Sequence, residues 1–154
     1  MRELTEEEKA TRDLRREGFD QVYEEMMPVL ADFVERLGAS EPALVIMHPE
    51  RYLKLIDDFM RDQVVSPENR FWIGIRIGYY IGELFVQRFG GCWSLNEIPD
   101  SRYFLRYVVG SFSRIKNHNA MFDPFYSADL FVTEPPGRSL TRLVEEIAEE
   151  LESA

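Results

Sequence analysis

The chain has 154 residues, of which 45% are hydrophobic and 13% aromatic. This length suits one domain, and disordered chains lack such aromatic content. The formal net charge of −10, from 28 acidic and 18 basic residues, disfavours nucleic acid and anionic membranes as partners and favours basic proteins. We therefore predict a single globular domain over residues 1–154.

The cysteine count and the pattern of apolar residues indicate where in the cell the protein is expected. A single cysteine, Cys92, excludes an intramolecular disulfide and a cysteine-based zinc site. The first residues are charged and do not resemble a signal peptide. The most apolar region, 71–89, is interrupted by Arg76, Glu83 and Arg88, which argues against a membrane span. We expect a cytoplasmic protein.

The N-terminal part of the chain is predicted to be helical. Thr5 and Glu8 fit a capping box, and apolar residues recur after it at helical spacing. Pro28 interrupts this stripe, so the pattern predicts one kinked helix or two consecutive helices that end at Gly38. Residues 1–13 are nearly all polar, and we expect them to project from the body or to fray.

The middle of the chain is predicted to hold a short helix and a long one. The spacing of apolar residues over 49–61 indicates a short amphipathic helix. Ser66 as N-cap, with proline at the first helical position, begins a long central helix over about 67–89. The glycine pair 90–91 is a typical helix end.

The C-terminal half has a different residue pattern, with short runs typical of strands. Aromatic and β-branched runs predict strands over 92–95 and 103–109, with a further strand over 110–115. A helix follows over 125–132, and Ser139 caps the last helix. The predicted fold is α+β: a helical body around the long central helix, with a small antiparallel sheet and a C-terminal helix.

The central helix carries glycines at positions 74, 78 and 82. Each costs a helix roughly 1 kcal/mol relative to alanine, so another contact has to offset the loss. Close backbone-to-backbone approach of another helix or strand would provide that contact. We predict tight packing within the chain, with a homodimer interface or a ligand slot as the alternatives.

A polar edge runs along the same helix. Arg76, Tyr80 and Glu83 follow one another at i, i+4 and i+7 and therefore share a face. On so apolar a helix, they form either a water-facing edge or a paired, hydrogen-bonded cluster. If the edge lines a concavity, these residues are candidate ligand or partner contacts, together with His118 from a polar loop.

The sequence Gly82-Glu83, followed by a helical stretch and then 90–93 (Gly-Gly-Cys-Trp), resembles a pattern in small uncharacterised bacterial domains. Such domains are similar to some toxin-neutralising immunity proteins. The resemblance implies a comparable architecture and a binding role, and it carries no reaction. In physical terms, the glycine pair ends the helix and Trp93 is expected to anchor the first strand in the core.

No catalytic, metal-binding or cofactor-binding set is predicted. The Cys-Trp pair at 92–93 is similar to the one in papain-like peptidases, but the cysteine that precedes that motif is absent. Cys92 also follows a helix C-terminus, which disfavours a thiolate, so we predict a buried structural cysteine. His48 and His118 lack metal-ligand spacing, and neither glycine-rich stretch fits a phosphate cradle.

Acidic residues dominate the last helix, where Glu146 and Glu150 are candidate partner contacts. Such a face is either simply solvated or docks on a basic protein through charge-steered association. We therefore predict a non-catalytic interaction protein, most concretely an immunity-type inhibitor that binds and neutralises a toxin. The alternatives are a small-molecule-binding or hydrolytic enzyme that uses Arg76, Tyr80 and Glu83, and a structural homodimer.

Overall fold

The structure, a computed structural model, describes residues 2–153. Its helices are α1 (Glu6–Arg36), α2 (Leu53–Arg61), α3 (Pro67–Phe89), α4 (Pro124–Val132) and α5 (Leu140–Ser153). Its strands are β1 (Cys92–Leu95), β2 (Tyr107–Gly110) and β3 (Met121–Phe122), and short 3₁₀ turns cover Pro42–Val45 and Pro49–Tyr52. The predicted α+β architecture is confirmed. Within the described residues, no helix is long and apolar enough to cross a membrane.

Helix α1 is a single helix that continues through Pro28. The predicted capping box is present: the Glu8 N–H donates to the Thr5 hydroxyl at 3.1 Å, and the Glu8 carboxylate accepts from the Thr5 N–H at 2.9 Å. The helix ends at Arg36, and Gly38 follows with a φ of 100°. Of the two predicted arrangements, the chain adopts one helix rather than two.

The start of the chain lies against the loop that connects β1 to β2. The Arg2 guanidinium donates to the carbonyl of Pro99 at 3.3 Å and lies 5.4 Å from the ring centre of Phe104. Farther along α1, Arg15 donates to the carbonyl of Leu105 at 2.8 Å. Arg2 thus contacts the body of the protein and does not project from it, because the β1–β2 loop provides a surface that the sequence pattern did not indicate; for the rest of residues 1–13 the expected projection or fraying stays a prediction.

The glycine stripe of α3 is covered by residues of the same chain. A methyl group added at Gly82 would lie 2.0 Å from the Trp93 ring, and one at Gly78 would lie 2.6 Å from the Phe125 ring. Gly74 faces Val132, at the other end of α4, at 4.0 Å. The glycines therefore pack against residues of the same chain, as predicted. The stripe is thus not open to a second copy or to a ligand.

The sheet has the order β1-β2-β3, with both pairs antiparallel. Strand β1 is as predicted, but β2 begins only at Tyr107 because the chain turns before it: Leu105 has a φ of 61°. The predicted strand over 110–115 is wrong. Ser111, with a φ of 54°, takes the chain out of the sheet, and the third strand forms at 121–122 instead.

Residues along β1 alternate between the core and the solvent. Trp93 is buried, as predicted for an anchor, and its ring lies against the glycine stripe. Because neighbouring strand residues point to opposite faces, Cys92 points outward and is exposed. The prediction of a buried structural cysteine is therefore wrong.

Candidate functional site: a cleft between the last two helices

The three residues of the predicted polar edge do not meet in one site. Tyr80 is fully buried, and its hydroxyl donates to the Pro49 carbonyl at 2.7 Å, so it ties α3 to the second 3₁₀ turn. Burial raises the pKa of Tyr80 far above its usual range. Arg76 packs over the Trp72 ring at 3.7 Å and donates to the Trp72 carbonyl at 3.0 Å. Burial lowers the pKa of Arg76, and Asp32 opposes that shift.

Glu83 faces a different neighbour. Its carboxylate is buried and accepts a hydrogen bond from the Trp93 indole N–H at 3.3 Å. Burial raises the pKa of Glu83, and the hydrogen bonds from Trp93 and Gln87 lower it in part. Tyr80, Arg76 and Glu83 therefore contact three separate groups, and in the described residues none of them lines the larger surface clefts. Although these residues share one face of α3, each side chain makes a separate structural contact.

Replacing Glu83 by glutamine is expected to stabilise the protein at pH 7. The raised pKa means that the fold favours the protonated carboxyl, so this contribution to stability is lost as the pH rises through the folded-state pKa. Glutamine keeps an acceptor for Trp93 and carries no charge. Urea unfolding across a pH series should show the advantage of Glu83→Gln at neutral pH and its disappearance near the ordinary glutamate pKa of 4.5. Glu149→Gln, at an exposed position, should show no such crossover.

The two histidines are both exposed and lie in separate parts of the chain. His118 sits in a turn held by Asn117, whose side-chain oxygen accepts from the Asn119 N–H at 3.0 Å. His48 precedes the second 3₁₀ turn. Over residues 2–153, no group of three or more His, Cys, Asp or Glu side chains is arranged to hold a metal ion. His118 thus lies in a loop and lines neither of the two larger depressions.

A cleft of about 530 Å³ lies between α4 and α5, and we call it the α4–α5 cleft. Residues just before β2 form one end of it. The cleft is lined by Arg102, Tyr103, Arg106, Phe122, Asp123, Tyr126, Ser127, Leu130, Phe131, Glu134, Leu143, Glu146, Ile147, Glu150 and Leu151. Of the predicted site residues, it brings together Glu146 and Glu150.

The interior of the cleft is apolar and part of it is open to solvent. Phe131 and Ile147 are buried in its floor, whereas Tyr126 and Leu130 on α4 are 52% and 51% exposed. Single exposed apolar residues are ordinary, but two on one helix beside an apolar floor form a surface that a partner could cover. This combination distinguishes the cleft from an ordinary polar surface.

Charged groups surround this apolar interior. Arg102 pairs with Glu150 at 3.2 Å, and Arg106 pairs with the buried Asp123 at 3.2 Å. The described residues offer no such ion pair to Glu134 or Glu146, which are both exposed on the rim. The rim thus presents two carboxylates whose charge is not neutralised by a neighbouring cation.

Two buried polar residues hold α5 in place as a wall of the cleft. Asp57 of α2 accepts hydrogen bonds from the Leu140 N–H at 2.7 Å and from the Thr141 hydroxyl at 2.9 Å. It thus caps the α5 N-terminus from another helix, beside Ser139, whose hydroxyl accepts from the Arg142 N–H. This arrangement satisfies backbone donors that have no partner within the helix.

Arg138 adds a second tie at the same corner. It is 4% exposed, and it donates to the carbonyls of Met60, Gln63 and Glu134. Met60 lies in the last turn of α2 and Gln63 lies two residues beyond its end; a cation is favoured at such a helix C-terminus. The angle between α4 and α5, and with it the shape of the cleft, therefore depends on buried contacts with α2.

Most of the cleft was not predicted from the sequence. The missed residues that matter are Arg102, Arg106, Asp123, Tyr126, Leu130 and Glu134. One signal was available: the helix at 124–132 is apolar on nearly all sides, so packing one face on α3 leaves apolar residues on another. The two arginines gave no signal, because they lie in a loop that reaches the cleft only through the tertiary fold.

Comparison with protein-family models finds no matching family, and searches of curated proteins and of solved structures return no significant match. The similarity of the Gly82–Trp93 region to immunity-type domains therefore stays a prediction. What the site can do follows from its geometry alone. An apolar floor with unneutralised carboxylates on its rim can bind an apolar surface flanked by cations.

Proposed function

We propose that this protein acts by binding, not by catalysis, and that the α4–α5 cleft takes a basic amphipathic segment of a partner protein. The observation that carries this proposal is the pairing of exposed Tyr126 and Leu130 with the unpaired rim carboxylates of Glu134 and Glu146. An amphipathic helix laid in such a groove buries its apolar side and directs its cations to the rim.

The charge of the whole chain supports the same choice of partner. A net charge of −10 accelerates the approach of a basic protein and repels an acidic one. Helix α5 alone carries Glu145, Glu146, Glu149, Glu150 and Glu152 against Arg142. An immunity-type role, in which this protein neutralises a basic toxin, is one biological form of the proposal, and it is supported by the similarity described for the Gly82–Trp93 region.

The enzyme alternative was built on convergence of Arg76, Tyr80 and Glu83, and these side chains do not converge. Each of these side chains is instead engaged with Trp72, Pro49 or Trp93. A homodimer through the glycine stripe is likewise without an open surface. Binding in the cleft is the proposal that uses groups left available by the fold.

A designed peptide tests the proposal directly. We would titrate the isotopically labelled protein with an amphipathic helical peptide of about 18 leucine and lysine residues, or about five turns. The matched control peptide replaces each lysine by glutamate. We expect the basic peptide to bind and to shift the amide signals of Tyr126, Leu130 and Leu143, and the acidic peptide to bind much more weakly.

Variants of the cleft should weaken this binding. Leu130→Asp should weaken it about tenfold or more, because burial of a leucine side chain contributes about 1.5–3 kcal/mol and 1.4 kcal/mol is tenfold. The double variant Glu134→Gln/Glu146→Gln should lower both the affinity and its dependence on salt. Met47→Asp, at a position that is 67% exposed and outside the cleft, should leave binding unchanged. Equal binding by both peptides, or signals that shift only away from the cleft, would contradict the proposal.

A further inference from the structure

A second depression adjoins the cleft, between α1 and the residues that lead into β2. It has a volume of about 440 Å³, and we call it the arginine crevice. It is lined by Thr11, Arg15, Phe104, Leu105, Arg106, Tyr107, Asp123 and Phe125. Since Arg106 and Asp123 line both depressions, the crevice continues the α4–α5 cleft across this ion pair.

The charges of the two depressions are opposite in balance. The cleft has two arginines against four carboxylates, from Asp123, Glu134, Glu146 and Glu150. The crevice has two arginines, Arg15 and Arg106, against Asp123 alone. In a protein with a net charge of −10, a depression with an excess of cations is unusual and points to a ligand group that is negative.

Arg15 is the cation that remains available. Its Nη1 donates to the carbonyl of Leu105 at 2.8 Å, a neutral acceptor, and among residues 2–153 it has no carboxylate in an ion pair. Its neighbour on α1, Arg16, differs: its Nε donates to the Glu97 carboxylate at 2.9 Å. The hydrogen bond to Leu105 holds the Arg15 side chain across the crevice.

The opposite wall is held in place by Asp123. One of its carboxylate oxygens accepts from the backbone N–H groups of Phe125 and Tyr126, at 2.9 and 3.1 Å, and the other accepts from Arg106. Asp123 is thus occupied by the N-terminus of α4, and it uses one donor nitrogen of Arg106. A guanidinium carries five N–H donors, so Arg106 can still donate to a further acceptor.

We infer that the arginine crevice binds an acidic side chain, Asp or Glu, of the same partner segment that occupies the α4–α5 cleft; this rests on the proposed function. The segment is therefore bipolar. Its basic residues lie over Glu134 and Glu146, and its acidic end crosses the Arg106–Asp123 pair and reaches Arg15. Arginine–carboxylate bonds are the strong, geometrically specific kind. A longer segment whose basic residues extended into the crevice would place a cation against Arg15, so the crevice selects against that kind of extension.

The test extends the leucine–lysine peptide by two glutamates, at its N-terminus in one peptide and at its C-terminus in another, both with capped ends. We expect one of the two extended peptides to bind the wild-type protein about three- to tenfold more tightly than the parent peptide. Arg15→Gln should abolish this gain and keep the affinity for the parent peptide. Arg15→Lys, which keeps the charge, should retain part of the gain.

Arg16→Gln is the matched control, because Arg16 lies next to Arg15 on α1 but does not line the crevice. It should keep the full gain. Thermal unfolding of Arg15→Gln measures whether the variant still folds without the hydrogen bond from Arg15 to Leu105. The inference is overturned if neither extension tightens binding, or if Arg15→Gln and Arg16→Gln respond alike. If the parent peptide itself does not bind, the proposed function fails, and the inference fails with it.

Discussion

Replacing Gly82 by alanine is expected to destabilise the protein by up to about 2 kcal/mol, since overpacking a core costs about 1–3 kcal/mol and alanine in a helix returns part of this. The added methyl group would lie 2.0 Å from the Trp93 ring, closer than any real contact, and the Trp93 ring has little space to move because it also packs near the Phe125 ring, with ring centres 5.6 Å apart. The loss should outweigh the gain of roughly 1 kcal/mol that alanine brings to a helix interior. Urea unfolding of the two proteins measures the difference.

Gly74→Ala is the matched control on the same helix. Its methyl group would meet only Val132, at 4.0 Å, which is ordinary contact. This variant should therefore stabilise the protein, by up to roughly 1 kcal/mol. A smaller side chain at position 93 should relieve the clash, so Gly82→Ala should cost less in a Trp93→Leu background, with a coupling of about 0.5–3 kcal/mol. Equal effects at positions 74 and 82 would show that Trp93 does not set the requirement for glycine.

Replacing Asp57 by alanine is expected to cost about 2–4 kcal/mol, since loss of an N-cap costs about 0.5–2 kcal/mol and an unsatisfied buried donor about 1–3. Leu140 and Thr141 would lose the acceptor for their donors, and Arg61 would lose one of its two carboxylate partners, at 3.1 Å, while keeping Asp58 at 3.4 Å. The effect should concentrate on α5. Hydrogen exchange measured by mass spectrometry should show that the exchange rate, relative to the wild type, increases more in α5 than in α1.

Asp58→Ala provides the comparison, because Asp58 is exposed and pairs with Lys54 on the surface of the same helix. We expect it to change stability little. Asp57→Asn should lie between the two, since an amide oxygen still accepts from the Leu140 N–H. Because α5 forms a wall of the α4–α5 cleft, Asp57→Ala should also weaken peptide binding. If Asp57→Ala leaves α5 as well protected as in the wild type, the cap is not what holds this helix in place.

Local signals in the sequence were sufficient for most of the secondary structure. The capping box at Thr5, the proline start of α3 and the left-handed Gly90 that ends it all lie where predicted. These signals depend on a few neighbouring residues and hydrogen bonds, so they survive in any tertiary context. Strand predictions were less accurate, because Leu105 and Ser111 adopt positive φ values that nothing in their residue types indicated.

The candidate site was much harder to predict from the sequence than the secondary structure. Spacing correctly placed Arg76, Tyr80 and Glu83 on one face of α3, but a shared face says nothing about which elements cover it. Each side chain met a different neighbour. In contrast, Glu146 and Glu150 were chosen as part of an acidic helix surface, and they lie in the cleft only because the tertiary fold places α4 and α5 around it.

The sequence by itself determined that this protein is one acidic α+β chain built on a long, glycine-bearing helix, because helix caps, periodicity and net charge are local or additive properties. The tertiary structure alone decided what that helix packs against and where the binding surface lies. Trp93 and α4 cover the glycines, Asp57 and Arg138 fix α5, and a loop brings Arg102 and Arg106 to the cleft. These contacts join residues far apart in the chain, so their geometry depends on the packing of the whole fold.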